Sequence, residues 1–323
     1  MSGSNVAETA AQPLDLVVRQ MRWEVDGVLG LRLEAQDGTP LPPWEPGAHV
    51  DVRLPNGVER QYSLCSDPAD RGGWEIAVLR EDVSRGGSRW IHRELRAGGH
   101  LEVSAPLNHF AFEVGTPAVF IAGGIGITPL LPMIRAAQAA GTPWRLAYLG
   151  RGRDTMAFLD DPVLQGPEVS IVPSAEAGRL DVEAWIGTPG AGERVYACGP
   201  AGLLDRLEEL SSAWAPGTLR VERFQARSFA DLVDGEAFEV EAKASGLKLT
   251  VESGCSILEM LEQAGIPVPS SCLEGVCGTC ETDIVDGEAE HRDSILSPEE
   301  RASNETMMIC VSRARTPSLV LDI

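Results

Sequence analysis

The 323-residue chain contains no run of eighteen apolar residues, which is roughly the length that a membrane-spanning helix needs. Residues 1–13 are small and polar, with neither a basic start nor an apolar stretch, so they do not have the pattern of a secretory signal. They are predicted to be a disordered tail. Together these absences predict a cytoplasmic protein with no membrane segment.

Positive charge is scarce, since 27 Lys and Arg residues stand against 48 Asp and Glu residues and the formal net charge is −21. Nucleic-acid binding is disfavoured, because phosphates require a basic surface. The acidic excess is concentrated in residues 231–323, which hold 19 acidic and 6 basic side chains. Two interpretations stay open and do not exclude each other. The acidic surface serves solubility, or it steers a basic patch on an electron acceptor.

Patterns of acid–base or nucleophilic catalysis are missing as well. Neither a catalytic triad nor a pair of carboxylates stands out, and no catalytic residue is predicted. The five histidines are scattered, and none of them forms a metal-ligand pattern with the cysteines. A Rieske centre needs histidine ligands, so the chain is not predicted to be a Rieske oxygenase.

Cysteine, by contrast, follows a clear pattern near the end of the chain. Cys272, Cys277 and Cys280 have the spacing C-x4-C-x2-C, and Cys310 follows after 29 further residues. Four thiolates at this spacing are typical of a plant-type [2Fe–2S] ferredoxin. Zinc is the less favoured alternative, because structural zinc sites usually divide their ligands into two separated C-x2-C pairs. Disulfides are disfavoured in a reducing compartment. These four cysteines are therefore the predicted metal ligands.

Residues 14–112 contain short runs of alternating polar and apolar residues, separated by proline and glycine. Evenly spaced short strands of this kind predict a small antiparallel barrel. The predicted strands are Leu14–Val18, Val28–Leu33, His49–Leu54, Gln61–Leu64 and Trp74–Leu79.

Two pieces of this barrel have side chains suited to an anionic aromatic cofactor. The first piece is the predicted strand segment that contains Arg60, Tyr62 and Ser63. Arg60 and Tyr62 are expected on one face of this strand and Ser63 on the other. An arginine binds phosphate, a tyrosine packs on a ring, and a serine hydrogen-bonds a ring nitrogen. The second is the turn Gly86-Gly87-Ser88 before a helical run, which offers N–H groups to an anion. For the first piece, the alternative is that Arg60 is a surface charge and Tyr62 a half-buried ring. For the second piece, the alternative is a plain helix with Ser88 as its N-cap.

Residues 113–225 alternate strand-like and helical runs, which predicts a parallel sheet with helical crossovers. A glycine-rich turn follows the first strand at the position where a dinucleotide pyrophosphate meets a helix N-terminus. It departs from the strict G-x-G-x-x-G pattern because proline takes the final place, and a tight strand–helix turn is the alternative. The candidate residues of this turn are Gly123, Gly124, Gly126, Thr128 and Pro129. A later strand ends in Cys198-Gly199-Pro200, which is a second candidate segment.

Residues 226–236 have the composition of a linker, and residues 237–323 are predicted to contain strands, one helix and the cysteine loop. The complete sequence thus predicts a multidomain protein with three folded units in a fixed order. The first is an antiparallel β-barrel, the second an α/β unit with a parallel sheet, and the third an α+β unit of the β-grasp type that carries the cysteines.

In this order, the motifs resemble those of phthalate dioxygenase reductase and its relatives, including vanillate demethylase reductases. The resemblance implies that FMN binds near Arg60 and Gly86-Gly87-Ser88, with Tyr62 and Ser63 at its ring and Phe224 on the ring's other face. It implies that the pyrophosphate of NADH binds at the glycine turn and that the nicotinamide lies near Cys198-Gly199-Pro200.

The same resemblance implies a reductase that takes hydride from NADH onto FMN and passes single electrons through the cluster to a partner. NADPH is the alternative donor, since Arg151 and Arg153 follow a strand where a 2′-phosphate could bind. The expected partner is a Rieske-type oxygenase, with a cytochrome P450 as the alternative. A non-catalytic iron–sulfur carrier or redox sensor is the alternative from another class. A monomer is expected, because one chain would hold the whole relay.

Overall fold

The computed structural model describes residues 13–81, 86–224 and 235–323. It contains three main β-sheets that follow one another along the chain, and their topologies confirm the predicted fold class. The predicted linker lies almost entirely outside the described residues, and so does the predicted tail. Within the described ranges, no helix is long and apolar enough to cross a membrane.

The first sheet is antiparallel and closes into a barrel. Its elements are β1 (Leu14–Val25), β2 (Val28–Ala35), β3 (His49–Arg53), β4 (Glu59–Ser63), β5 (Trp74–Leu79), α1 (Gly87–Arg93) and β6 (His100–Val103). The strands lie in the order β4-β3-β6-β1-β2-β5, and contacts between β4 and β5 close the ring. Alternate residues such as Leu31, Leu33, Val50 and Val52 are buried in one core inside it.

The second sheet is parallel and is covered by helices on both faces. Its elements are β7 (Ala118–Gly123), α2 (Leu130–Ala139), β8 (Trp144–Gly150), β9 (Val169–Pro173), α3 (Ser174–Ala177), α4 (Val182–Ile186), β10 (Arg194–Cys198), α5 (Ala201–Ser211) and β11 (Leu219–Glu222). Short 3-10 turns span Gly124–Ile127, Arg153–Thr155 and Pro162–Leu164. The strand order is β11-β10-β7-β8-β9, and every residue of the central strand β7 is buried.

The third sheet is mixed and carries the cysteine loop. Its elements are β12 (Phe238–Ala242), β13 (Leu247–Val251), α6 (Ile257–Gln263), β14 (Glu281–Asp286), β15 (Ala289–Glu290), α7 (Pro298–Ser303), β16 (Thr306–Met308), β17 (Arg313–Ala314) and β18 (Ser318–Leu321). The order is β13-β12-β18-β14-β16, with β15 and β17 as a separate pair. Ser256 and Glu259 form a capping box that fixes the start of α6. The cysteine loop lies between α6 and β14.

Candidate functional site

Strand β4 places the predicted flavin residues Arg60, Tyr62 and Ser63 on two faces of the barrel wall, as expected from alternation. Tyr62 packs against the barrel core, and the Ser63 hydroxyl points toward the parallel sheet. The stem of Arg60 lies against the start of α1, where a side-chain carbon on Gly87 would be 2.7 Å from Arg60 Cγ. The structure therefore brings the arginine of the strand motif and the glycine turn together.

The alternative interpretation, a plain helix with Ser88 as its N-cap, is wrong. The N-cap is Gly86, whose φ of 98° is left-handed and therefore suited to glycine. Ser88 lies one residue inside the helix, where it is buried and its Oγ accepts a hydrogen bond from the Glu81 backbone N–H at 3.2 Å. The serine thus ties the turn to the end of β5. Residues 82–85, which directly precede the predicted anion turn, lie outside the described residues.

The two nucleotide motifs meet where the strand order of the parallel sheet reverses. From β7 the chain first adds β8 and β9 on one side and then β10 and β11 on the other. Ligands of such sheets bind at the carboxyl ends of the strands beside this reversal. The Gly123–Pro129 turn follows β7, and Cys198-Gly199-Pro200 ends β10, so both motifs lie at that position.

Close packing explains why glycines occupy this junction. A side-chain carbon on Gly126 would lie 2.2 Å from the Cys198 carbonyl oxygen. One on Gly123 would lie 2.6 Å from Cδ of Pro200, and one on Gly199 would lie 3.0 Å from the Gly123 Cα atom. The two turns therefore rest directly on each other's backbone.

The other members of the glycine turn shape its backbone. Gly124 adopts a left-handed φ of 55° and has open space around it. Thr128 is buried, and its hydroxyl donates to the Ile125 carbonyl at 2.9 Å, which closes the turn. Pro129 precedes the first residue of α2 and has a helical backbone conformation. Of these three residues, Gly124 is the one with open space beside its backbone.

A part-buried polar cluster that sequence reasoning missed joins the barrel to the parallel sheet. Ser63 Oγ lies 3.3 Å from Glu222 Oε2, and Glu222 is the neighbour of Cys198 in the pairing of β10 with β11. Burial raises the pKa of the Glu222 carboxyl to about 8, although the Ser63 hydrogen bond lowers it. Burial also raises the pKa of the Cys198 thiol. All three groups are therefore uncharged at neutral pH.

The sequence offered one indication that Glu222 is a site residue, because it ends a strand two residues before the predicted flavin residue Phe224. Its partner Ser63 is 159 residues away, and no local pattern links them. The side chain of Phe224, two residues after Glu222, is 40% exposed.

The four predicted metal ligands come together at one end of the third sheet. Cys277, Cys280 and Cys310 are buried, Cys272 is half-buried, and none of the four is in a disulfide. The Cys272 sulfur interacts with the thiols of Cys277 and Cys310, and the Cys280 sulfur interacts with that of Cys310. No group of three or more His, Cys, Asp or Glu side chains in the described ranges has the geometry of a single-ion site. The four sulfurs contact one another instead.

The loop between Cys272 and Cys280 is shaped to surround sulfur. Gly275 has a φ of 68°, and a side-chain carbon there would lie 2.5 Å from Val311. The backbone N–H groups of Glu274 and Val276 donate to the Cys272 sulfur at 3.3 and 3.4 Å. Hydrogen bonds from the Cys277 and Cys310 thiols, together with these N–H groups, lower the pKa of the Cys272 thiol well below its usual value. A clustered set of thiols with N–H donors fits the thiolate ligation of a [2Fe–2S] cluster.

A family model described as a 2Fe-2S iron-sulfur cluster binding domain matches residues 240–315. The phenoxybenzoate dioxygenase subunit beta of Ectopseudomonas oleovorans is 43% identical over 98% of this chain and 99% of its own length. The solved structure of phthalate dioxygenase reductase superposes with a TM-score of 0.69, at 35% identity over 96% of this chain and 98% of that one. An intact type IV self-sufficient cytochrome P450 monooxygenase matches at a TM-score of 0.89 and 41% identity, over 96% of this chain and 41% of that longer one.

Barrel, parallel nucleotide sheet and ferredoxin unit together define an iron–sulfur flavoprotein reductase, an NAD(P)H-dependent oxidoreductase that serves an oxygenase. The chain belongs to the phthalate dioxygenase reductase family. Its cofactors are FMN and a [2Fe–2S] cluster.

Proposed function

We propose that this chain is the NADH-dependent reductase of a Rieske-type oxygenase system and that it acts as a monomer. We propose domain boundaries at 14–112 for the flavin barrel, 113–225 for the nucleotide unit and 237–323 for the ferredoxin unit. The observation that carries the proposal is the convergence of Ser63, Cys198 and Glu222 from two different sheets, because a flavin and a nicotinamide must meet between a barrel and a nucleotide sheet.

Flavin binding is assigned to the barrel residues that lie around the start of α1. Arg60 would hold the FMN phosphate together with Gly86, Gly87 and Ser88, and the contact of Arg60 with Gly87 supports this grouping. Tyr62 and Ser63 would contact the ring on one side, with Phe224 covering the other face.

Nucleotide binding is assigned to the two turns that pack on each other. The pyrophosphate would bind the backbone of the turn formed by Gly123, Gly124, Gly126, Thr128 and Pro129. The nicotinamide would lie over Cys198, Gly199 and Pro200. Arg153 pairs with Glu176 at 3.3 Å on the exposed surface, which favours NADH because this arginine already has an anionic partner.

The bound cofactors supply the redox chemistry, in which a two-electron donor is converted to single electrons for a partner. The protein's own residues bind and orient them. Cys272, Cys277, Cys280 and Cys310 would hold the cluster, and backbone N–H groups of the loop would stabilise negative charge on its sulfurs. Ser63 and Glu222 would keep the meeting point of the two rings uncharged and closed to water.

Donor choice is tested by steady-state reduction of cytochrome c with NADH and with NADPH as alternative donors. We expect a higher kcat/KM with NADH. A preference for NADPH would contradict the assignment of NADH and would direct attention to Arg151 and Arg153.

The pH dependence of flavin reduction tests the role of Glu222. Since its pKa is raised to about 8, the carboxyl is protonated at neutral pH and ionises as the pH rises through that value. The new negative charge would lie where the reduced flavin must also carry electron density. We expect the rate of flavin reduction by NADH to fall by about threefold to tenfold between pH 7 and 9.

The matched variant for this test is Glu222→Gln, which keeps the shape of the side chain and cannot ionise. Stopped-flow flavin reduction should become nearly independent of pH in this range. A variant profile that parallels the wild-type profile would show that another group titrates.

The partner is proposed to be a Rieske-type oxygenase because the relative with 43% identity is named as part of a dioxygenase. A cytochrome P450 is the second candidate, since the fused P450 structure matches this chain with a TM-score of 0.89. The two candidates are separated by measuring electron delivery to a purified Rieske oxygenase and to a purified bacterial P450. We expect faster reduction of the Rieske centre, and preferential reduction of the P450 would reverse the assignment.

The docking surface is expected to include Leu273, which follows the first ligand cysteine. Its side chain is 58% exposed and its φ is 58°, so the loop presents an apolar side chain beside the cluster site. Replacing Leu273 by serine should raise the KM for the oxygenase about tenfold while leaving cytochrome c reduction within about twofold. An unchanged KM for the oxygenase would place the docking surface elsewhere.

A further inference from the structure

The cysteine loop contacts the barrel at two points, one on each flank of its ligand cysteines. Ser271, directly before Cys272, donates a hydrogen bond from its hydroxyl to Asp51 Oδ1 at 3.2 Å. On the other flank, the ring of His109 lies against Gly278, where a side-chain carbon would be only 2.6 Å from His109 Nε2. Both sides of the loop therefore contact the barrel, and neither contact involves a strand of the third sheet.

The first contact residue is fixed by backbone hydrogen bonds. Asp51 is the central residue of β3, and its N–H donates to Ser104 Oγ at 2.9 Å. In return, the Ser104 N–H donates to the Asp51 carbonyl, also at 2.9 Å. The carboxylate of Asp51 is thus presented from a rigid strand.

The second contact residue is held by the same strand. Leu107 and His49 exchange two backbone hydrogen bonds of 2.8 and 2.9 Å, which attaches the segment before His109 to the start of β3. The rings of His49 and His109 then lie with their centroids 5.8 Å apart. His49 is buried, so it is a fixed neighbour of the His109 ring.

Strand β3 also pairs with β4, the strand that carries the proposed flavin residues. In that pairing His49 lies opposite Ser63, and Asp51 lies opposite Gln61. Strand β3 therefore contacts the cysteine loop through Asp51, and it pairs with β4, the strand that carries the proposed flavin residues. The distance between the two cofactors would depend on how firmly the loop rests on this strand.

We propose that Asp51 and His109 are positioning residues, which hold the cysteine loop against the flavin barrel and thereby set the rate at which electrons pass from flavin to cluster. This inference rests on the proposed function, because it assumes that both cofactors are bound. Its physical basis is that small displacements of reacting groups slow a reaction strongly.

The test uses the full-length protein loaded with FMN and cluster, mixed anaerobically with NADH in a stopped-flow instrument. Asp51→Ala and His109→Ala should leave the flavin reduction phase within about twofold of wild type. Each should slow the following bleaching of the cluster by about threefold to tenfold, and the double variant should slow it by more than about tenfold. Asp51→Asn, which keeps an acceptor for the Ser271 hydroxyl, should restore most of the rate.

A second measurement tests the contact between the cysteine loop and the barrel in the absence of NADH. In the oxidised resting protein, backbone hydrogen exchange over residues 271–280 and 107–109 should be faster in the double variant. His100→Ala is the matched control, because this exposed histidine of the same barrel binds Asp15 instead of the loop. It should change neither the bleaching rate nor the exchange.

Wild-type bleaching rates and wild-type exchange in the double variant would overturn the proposal. Cofactor content is measured first, and if His109→Ala loses iron, His109→Gln carries the comparison in its place. A wild-type protein that lacks flavin or iron would contradict the proposed function itself, so the two failures are distinguishable.

Discussion

Replacing Cys277 by serine should abolish reduction of cytochrome c by NADH and leave reduction of the flavin by NADH intact. Cys277 is 1% exposed and its thiol contacts that of Cys272. A serine hydroxyl is a poor ligand for iron in a site built from thiolates. Since a change in a residue that only supports a metal ligand already lowers affinity or activity by about 10–100-fold, loss of a ligand should lower cytochrome c reduction by more than about 100-fold.

The matched control for this experiment is Cys255→Ser. Cys255 is half-buried in the same unit, and it lies outside the spacing of the four ligands. This variant should retain its iron and both activities. If Cys277→Ser reduces cytochrome c at the wild-type rate, electrons leave the protein from the flavin and the proposed path through the cluster is wrong.

Replacing Gly126 by alanine should impair the use of NADH and the stability of the nucleotide unit together. The new methyl group would lie 2.2 Å from the carbonyl oxygen of Cys198 and 2.8 Å from the N atom of Gly199. These are backbone atoms, so the two turns must move apart. Forced overpacking of this kind typically lowers the free energy of unfolding by about 1–3 kcal/mol.

The displaced turns are those proposed to bind the pyrophosphate and the nicotinamide. We therefore expect kcat/KM for NADH to fall by at least about tenfold, while chemical reduction of flavin and cluster by dithionite is unchanged. Gly202→Ala is the control, because Gly202 lies in α5 close to the same strand end and has no atom within 4 Å of the added carbon. Wild-type kinetics in Gly126→Ala would show that the packing of the two turns does not shape the nucleotide site.

Local patterns predicted most of the strands and the ligand cysteines. Strand alternation identified β3, β4 and β5 to within one or two residues, and the spacing of Cys272, Cys277 and Cys280 predicted one curved loop. Strand alternation and cysteine spacing are both read from residues that lie close together in the sequence. The N-cap of α1 is Gly86 and not Ser88, the alternative that the sequence offered, because the left-handed backbone of this glycine begins the helix without a side-chain cap.

Contacts between distant segments could not be predicted in the same way. Glu222 becomes a site residue only because its strand pairs with β10 and faces Ser63 of the barrel. The contact of His109 with Gly278 joins segments that are far apart in the chain. Such partners depend on how whole sheets pack, and a single sequence without related sequences carries no pattern for them.

The electron path from NADH through the flavin to the cluster is tested most directly by an anaerobic titration of the purified protein with NADH, followed by its visible and electron paramagnetic resonance spectra. We expect about one FMN and roughly two iron atoms per chain, with NADH bleaching the flavin band and producing the signal of a reduced [2Fe–2S] cluster in the same sample. A preparation without flavin or iron after anaerobic handling, or a cluster that stays oxidised while the flavin is fully reduced, would contradict it.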